Sequence, residues 1–173
     1  LEYDKDPYLV IDERGHLVYV QDAYTISDRF PHATWFDTSE LGDTSGLRGS
    51  EFNYIRNSVK ITMDAYDGTM HFYVSDPSDP LIRAWQGIFP SLFQPMDQMA
   101  DGVLQHLRVP EEQFNVQTRV YGTYHVKDPL TFFNKSDRWT VPAKQTNQQS
   151  LESEAYYVVM RMPGEPKAEF LLL

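Results

Sequence analysis

Two pairings of an aspartate with a histidine could support acid–base chemistry in this chain. Asp64 and His71 flank a predicted turn, and His125 lies three residues before Asp128. A carboxylate beside an imidazole can pass a proton at neutral pH, which is the basis of many hydrolytic mechanisms. An aspartate and a histidine on opposite strands are more often a polar pair without a catalytic role. A cell-envelope hydrolase is therefore the alternative function, and no catalytic residue is assigned.

Other catalytic and metal-binding patterns are weaker. Asp43-Thr44-Ser45-Gly46 approaches the aspartic-protease signature, but its Ser-Gly order is inverted and a flexible loop explains it better. The sequence holds no Gly-x-Ser-x-Gly elbow, zinc-binding His-Glu-x-x-His or phosphate-binding glycine loop. Four aspartates near the same turn could surround Ca²⁺, but their spacing departs from the Ca²⁺ loop pattern: Asp64, Asp67, Asp76 and Asp79. We therefore predict neither a metal nor a cofactor.

Aromatic and polar side chains alternate most densely in two segments, residues 54–57 and 124–139. Such mixtures suit stacking on sugars or on peptide groups. A buried polar brace that ties helices to a sheet is the structural alternative. Arg56 lies at a strand entry and needs an acidic partner, which Asp128 or Asp137 could supply. The candidate binding residues are Arg56, Asn57, Tyr124, His125, Asp128, Arg138 and Trp139.

Composition narrows the class of protein. The chain has 173 residues, which favours one domain, and a formal net charge of -10, which disfavours nucleic acid and anionic membrane surfaces as partners. It contains no cysteine, which excludes disulfides and thiol catalysis. No apolar run reaches the roughly 18 residues of a membrane span, and no signal peptide opens the sequence.

A β-hairpin at residues 54–74 must position the first Asp/His pair. Asp67-Gly68 predicts a two-residue type I′ turn, which places Met63 opposite Phe72 and Asp64 opposite His71. A first hairpin is predicted at Tyr8–Ile11 and Leu17–Gln21, with Ile11 facing Val18 and Leu9 facing Val20.

Helix signals follow the second hairpin. Asp79-Pro80 and Asp128-Pro129 each place a capping carboxylate before a proline at the first helical position. Pro110-Glu111-Glu112 opens a third helix, and a short apolar stripe at residues 96–107 predicts another. Residues 36–50 are predicted to form a loop, residues 143–153 a polar linker, and residues 156–162 and 168–173 two strands that join the sheet of the hairpins. The predicted fold class is α+β: a mostly antiparallel sheet built from β-hairpins, with a layer of three to four short helices on one face.

The chain resembles uncharacterised protein family 0182. The segments that carry the resemblance run in order along nearly the whole sequence: YIRNSVKITMDAYDGTMHFYV, DPSDPLIRAW, PEEQF, VYGTYHVKDPLTFFNKSDRW and YYVVMRMPGE with EFLLL. These are large bacterial membrane proteins with a multi-helix amino-terminal half and a long soluble region. The resemblance implies that the chain is a fragment of that region, at the cell membrane and extracytoplasmic, anchored through regions absent from this sequence. It implies no catalytic residue.

Together these observations lead us to expect a non-catalytic extracytoplasmic module that binds an envelope polymer, another cell-envelope component or a protein partner.

Overall fold

A computed structural model describes residues 1–42, 45–146, 149–153 and 155–173. Asp43 and Thr44 of the protease-like tetrapeptide lie outside the described residues. The chain divides into two compact units, residues 1–112 and 113–173. The sheets and short helices confirm the predicted α+β class, whereas the single domain stays a prediction.

The first unit contains a six-stranded sheet in the order β1-β3-β4-β5-β6, with β2 also pairing with β3. Because β4 occupies one edge of β3, β1 and β2 lie one after the other along its other edge. All the pairings are antiparallel except that of β5 with β6. The strands are β1 (Glu2–Tyr3), β2 (Tyr8–Ile11), β3 (Leu17–Ser27), β4 (Tyr54–Asp64), β5 (Met70–Val74) and β6 (Phe93–Pro95).

The central hairpin is confirmed, but its predicted register is wrong by two residues. Met63 lies opposite Met70, where the sequence predicted Phe72, and Ile61 lies opposite Phe72, where it predicted Val74. Side chains alternate with a period of two, so a two-residue shift changes the partners but keeps every residue on its predicted face.

The cause of this shift is the loop at residues 65–69. Asp64 accepts hydrogen bonds from the backbone N–H groups of Tyr66 and Asp67, at 2.7 and 3.2 Å, and its own N–H donates to the carbonyl of Thr69. Gly68 takes the left-handed conformation that closes the loop, with φ of +75°. An aspartate side chain therefore organises a longer loop in place of the predicted two-residue turn.

The first hairpin is also confirmed, and its register is wrong by one residue. Val10, in place of Ile11, lies opposite Val18. The Asp12 carboxylate accepts from two backbone N–H groups in the connecting loop and so fixes where the strand ends. A one-residue shift exchanges the faces, and Leu9 and Ile11 are consequently exposed while Val10 is buried.

Both faces of the sheet carry an apolar core. Tyr73 and Val74 are neighbours in β5, so they point to opposite faces, and each belongs to a different cluster. The first cluster contains Tyr8, Val10, Val20, Tyr73, Met99 and Val103. The second contains Ala23, Val59, Ile61, Val74 and Ile82.

Helices of the first unit therefore pack on two faces, where the sequence predicted a single layer. Helix α1 (Pro80–Ile88) contributes Ile82 to the second cluster. Helix α2 (Asp101–Leu104) and the residue before its cap, Met99, pack in the first cluster after a 3₁₀ turn at Met96–Gln98. The predicted stripe at residues 96–107 is confirmed as a packing surface. A second 3₁₀ turn, Thr38–Glu40, lies in the predicted loop at residues 36–50.

The remaining elements are two helices and two small sheets. Helix α3 (Glu111–Tyr124) begins at the end of the first unit, and α4 (Pro129–Asn134) follows its Asp128 cap as predicted. Strands β7 (Ala143–Thr146) and β8 (Gln149–Glu152) form an antiparallel pair, so the predicted polar linker is wrong. Strands β9 (Tyr157–Met160) and β10 (Glu169–Leu172) form their own two-stranded sheet and do not join that of the hairpins. Among the described residues, no helix has the length and apolar character needed to span a membrane.

Candidate functional site

A fully buried carboxylate, Asp79, lies at the start of α1. Its Oδ2 accepts from the hydroxyls of Thr25 and Ser58, the latter at 2.6 Å. Its Oδ1 accepts from the Tyr54 hydroxyl at 2.7 Å and from the Leu81 N–H at 2.9 Å. Four donors from β3, β4 and α1 thus converge on one carboxylate that carries no cationic partner among these contacts.

These hydrogen bonds set the charge of Asp79. Burial alone would raise its pKa, but the bonds from Ser58, Thr25, Tyr54 and Leu81 outweigh burial and hold the pKa below its usual value. Burial and the bond to Asp79 together raise the pKa of Tyr54 to about 12. Every lone-pair direction of the carboxylate is used by the fold, so this group serves architecture.

Arg56, at the entry of β4, binds a nearby acid and not the predicted Asp128 or Asp137. Its Nη1 donates to Asp76 Oδ2 at 2.8 Å and to Ser78 Oγ at 3.0 Å. The Ser78 hydroxyl and the Arg56 guanidinium lower the pKa of Asp76. Arg56 and Asp76 are both partly exposed, so the pair adds little to stability.

Asn57 lies at a β-bulge between β3 and β4. The register shifts between Ala23 and Thr25, so that β4 carries one extra residue there. The Asn57 side chain donates to the Ala23 carbonyl at 3.4 Å, and the Asn57 carbonyl accepts from Ser75 Oγ at 2.6 Å. Asn57 therefore holds the bulge together through contacts with β3 and with the residue that follows β5, whereas the structural alternative was a brace between helices and the sheet.

A second group of buried polar residues was not identified from the sequence. Lys60 donates to the Asp22 carboxylate and to the Arg108 carbonyl, and both members of the ion pair are almost fully buried. Burial raises the pKa of Asp22, and Lys60 opposes that effect. Nearby, the Tyr24 hydroxyl donates to Asp4, and burial followed by the negative charge of Asp4 raises the pKa of Tyr24.

Glu112 fixes the loop that follows the 3₁₀ turn at Thr38–Glu40. Its Oε1 accepts from the Ser45 hydroxyl at 2.6 Å and from the Gly46 N–H, and the side chain is almost fully buried. Its Oε2 is buried and makes no hydrogen bond within the described part of the chain. The described residues nevertheless contain no group of three or more acidic or histidine side chains arranged to hold a metal ion.

The first predicted acid–base pair does not form. His71 lies opposite Thr62, and Asp64 instead lies 3.2 Å from His16, measured from Oδ2 to Nδ1. The N–H groups of Tyr66 and Asp67 lower the pKa of Asp64, because they stabilise its charged form in the turn. The two-residue register shift separated the predicted partners.

Asp128 likewise serves the backbone. Its carboxylate accepts from the Thr131 N–H at 2.7 Å as the cap of α4, and this bond lowers its pKa. The acid beside His125 is Asp137, with 3.7 Å between Nε2 and Oδ2. The predicted pairing of His125 with Asp128 is therefore wrong.

An aromatic corner forms around His125 in the second unit; we define it as Tyr121, His125 and Trp139. The rings of His125 and Trp139 stack with centroids 3.8 Å apart and planes at 28°. Tyr121 meets Trp139 edge-on, at 6.0 Å and 74°. His125 is mostly buried beneath, whereas Trp139 is 56% exposed and Tyr121 61% exposed. The corner thus presents two rings at nearly a right angle.

Local backbone contacts fix this corner. His125 Nδ1 lies 3.1 Å from the Tyr121 carbonyl one helical turn earlier, and the Trp139 N–H donates to the Gly122 carbonyl at 2.9 Å. Gly122 permits this approach, because a β-carbon there would lie 2.6 Å from the Trp139 carbonyl oxygen.

The structure places two residues of the predicted binding set in contact, and their role in binding stays a prediction. His125 and Trp139 lie together. Tyr124 contacts Phe132 instead, with centroids 5.4 Å apart, and Arg138 is an exposed neighbour of Trp139 in the chain. Tyr121, which contacts the rings of both His125 and Trp139, was not among the predicted binding residues. Its position four residues before His125 on a predicted helix was the available signal.

Comparison with known proteins identifies the family. The model of an uncharacterised protein family (UPF0182) matches residues 1–173, and the chain belongs to this family. A UPF0182 protein of Solibacter usitatus is 47% identical over 176 residues, those of Methanospirillum hungatei and Desulforamulus reducens 43% and 42% over 173. Each match covers 100% of this chain but only 17–18% of the relative. No solved structure matches the chain.

Proposed function

We propose that this chain is a non-catalytic binding module that recognises a cell-envelope glycan through the aromatic corner. The observation that supports this most directly is the Trp139 ring, which stacks on His125 by one face and remains 56% exposed. A ring already fixed in orientation loses little conformational freedom when a ligand stacks on it. Sugar rings present flat C–H faces that suit such a surface, and the edge-on Tyr121 ring adds a second wall.

Charge favours the same kind of ligand. Residues 113–173 contain seven Lys and Arg and six Asp and Glu, whereas residues 1–112 contain eight and 19. The aromatic corner thus belongs to the part of the chain with nearly balanced charge. An uncharged or weakly charged polymer meets little repulsion there, in contrast to the strongly acidic first unit.

We further propose that the module lies outside the cytoplasm, as part of a membrane-anchored protein. The resemblance that implies this location agrees with the family membership, and the relatives are more than five times as long as the region matched. Labelling of an epitope placed in this region of a full-length family member, in intact and permeabilised cells, tests the location. Labelling that requires permeabilisation would refute it.

Isothermal titration with soluble peptidoglycan glycan strands tests the binding. We expect Trp139→Ala to weaken binding by about 2 kcal/mol, roughly 30-fold, because removing a central Trp anchor typically costs this much. Trp35→Ala is the matched control, since Trp35 is 53% exposed but belongs to the first unit. Undetectable glycan binding by the unmodified chain, or an equal loss in both variants, would refute the proposal. Binding only to stem peptides would also refute the glycan assignment.

A further inference from the structure

A row of exposed apolar side chains crosses four strands on one face of the six-stranded sheet. Leu9 pairs with Tyr19, Tyr19 with Met63, and Met63 with Met70. These four are 46%, 42%, 36% and 50% exposed, respectively. Helix α1 covers the other end of this face, around Val59 and its neighbours, and leaves the row open. We call these four residues the apolar row.

The apolar row ends at the free edge of β2. The Asp12 N–H donates to the carbonyl of His16, its partner in the β2–β3 hairpin. In an antiparallel pair every second residue is hydrogen-bonded to the neighbouring strand, so Val10 and Tyr8 are also bonded to β3. The N–H and C=O groups of Leu9 and Ile11 therefore point away from β3. Among the described residues, no strand pairs with this edge. β2 itself, Tyr8–Ile11, has no lysine, proline or bulge, the usual protections of an edge strand, and Pro7 just before it limits the free edge to Leu9 and Ile11.

We propose that a second copy of this chain pairs with β2, antiparallel and about a two-fold axis through Val10. In this register, Leu9 of one copy lies opposite Ile11 of the other, and both residues direct their free backbone groups toward the partner strand. The pairing is self-complementary, as a two-fold interface requires. The proposal is independent of the glycan site.

The exposed apolar side chains fit the same register. Opposite residues in an antiparallel pair share a face, so Ile11 of the second copy extends the apolar row directly beyond Leu9. Ile11 is itself 61% exposed.

The available area sets the strength of the dimer. Leu9 and Ile11 are the exposed apolar side chains on the paired strand itself, and their exposed parts amount to roughly 200 Å² per copy, less than the largest patch on an ordinary monomer. Stable complexes bury about 800 Å² per partner. The dimer is therefore expected to be weak and to require concentrations approaching ~1 mM for detection.

Analytical ultracentrifugation from about 10 μM to 1 mM tests the proposal. We expect concentration-dependent dimers of the unmodified chain and monomers of the Leu9→Lys/Ile11→Lys variant, since lysines would face each other across the axis. Met70→Lys is the control: it places the same charge on the apolar row, three strands from the edge, and should preserve the dimer. Circular dichroism verifies that each variant is folded.

A charge-swap experiment separates pairing from a general loss of apolar surface. Leu9→Glu/Ile11→Glu should also be monomeric alone, but mixing it with the double-lysine variant should give a one-to-one heterodimer. A monomeric unmodified chain at 1 mM would overturn the proposal, and so would a full-length family member that stays monomeric because a strand of its longer polypeptide covers this edge. Dimers of the double-lysine variant, or no association in the mixture, would overturn it as well.

Discussion

Replacing Asp79 by alanine should be the most damaging single substitution at a helix cap in this protein. The change removes the cap of α1 and the acceptor of three hydroxyl groups, those of Thr25, Ser58 and Tyr54. Thr25 and Ser58 are almost fully buried, so water cannot replace the lost acceptor.

The expected loss follows from these contacts. Removing an aspartate cap costs about 1 kcal/mol. Leaving a buried hydroxyl without a partner costs about 1–3 kcal/mol. Thr25 and Ser58 lie 3.1 Å apart and can bond to each other, which offsets part of that cost. We therefore expect Asp79→Ala to lower the free energy of unfolding by about 3–5 kcal/mol.

Asp128→Ala provides the matched control. It removes the same residue from the same kind of Asp-Pro cap, but here the carboxylate is exposed and bonds to Thr131 and Leu130 in the first helical turn. The expected loss is about 1 kcal/mol. Urea unfolding followed by circular dichroism and tryptophan fluorescence measures both, each in the transition of its own unit if the two unfold separately. Equal losses at the two caps would refute the reasoning.

Asp79→Asn removes the negative charge of this side chain while keeping its size. Because the folded-state pKa of Asp79 is lowered, its carboxylate stabilises the protein above the unfolded pKa of about 3.9. That contribution is lost as pH falls through the folded-state pKa. The variant should therefore lose less stability than the unmodified protein between pH 6 and acidic pH. A parallel pH dependence in the two proteins would contradict the lowered pKa.

Two further comparisons of variants test the close packing of Gly122 against Trp139 and the buried ion pair of Lys60 with Asp22. Gly122→Ala should cost about 1–3 kcal/mol and disturb Trp139 fluorescence, because the new β-carbon would meet the Trp139 carbonyl at 2.6 Å. Gly87→Ala, with nothing within 4 Å, should be neutral or stabilise by up to about 1 kcal/mol; urea unfolding compares the two, and equal effects would contradict the geometry. Lys60→Met should cost about 3–5 kcal/mol because Asp22 stays buried and unpaired, and Asp22→Asn/Lys60→Met should recover most of that loss in the same assay. A double variant as unstable as the single one would show that the charge is not the cause.

Local signals predicted the elements of this fold well. The two Asp-Pro caps at residues 79–80 and 128–129 start helices as expected, because a cap depends on residues within one turn. The strands of both hairpins were also found. Their registers were not, because Asp12 and Asp64 each bind two backbone N–H groups and lengthen the connecting loops. Sequence alternation alone does not reveal that competition.

The buried polar groups were missed for a different reason. Lys60 and Asp22 are 38 residues apart, and Glu112 reaches Ser45 across 67 residues. No sequence spacing links such partners before the sheet is assembled. At the aromatic corner, by contrast, local composition singled out His125 and Trp139, which the structure places in contact, but did not single out Tyr121.

The far side of the six-stranded sheet differs from the β2 side in a way that limits assembly. There the last strand, β6, has three residues and ends in Pro95, which has no N–H to offer to a neighbour. A sheet that can pair through one edge but not through the other binds a single further copy. Association would then stop at the dimer and would not continue into a fibre.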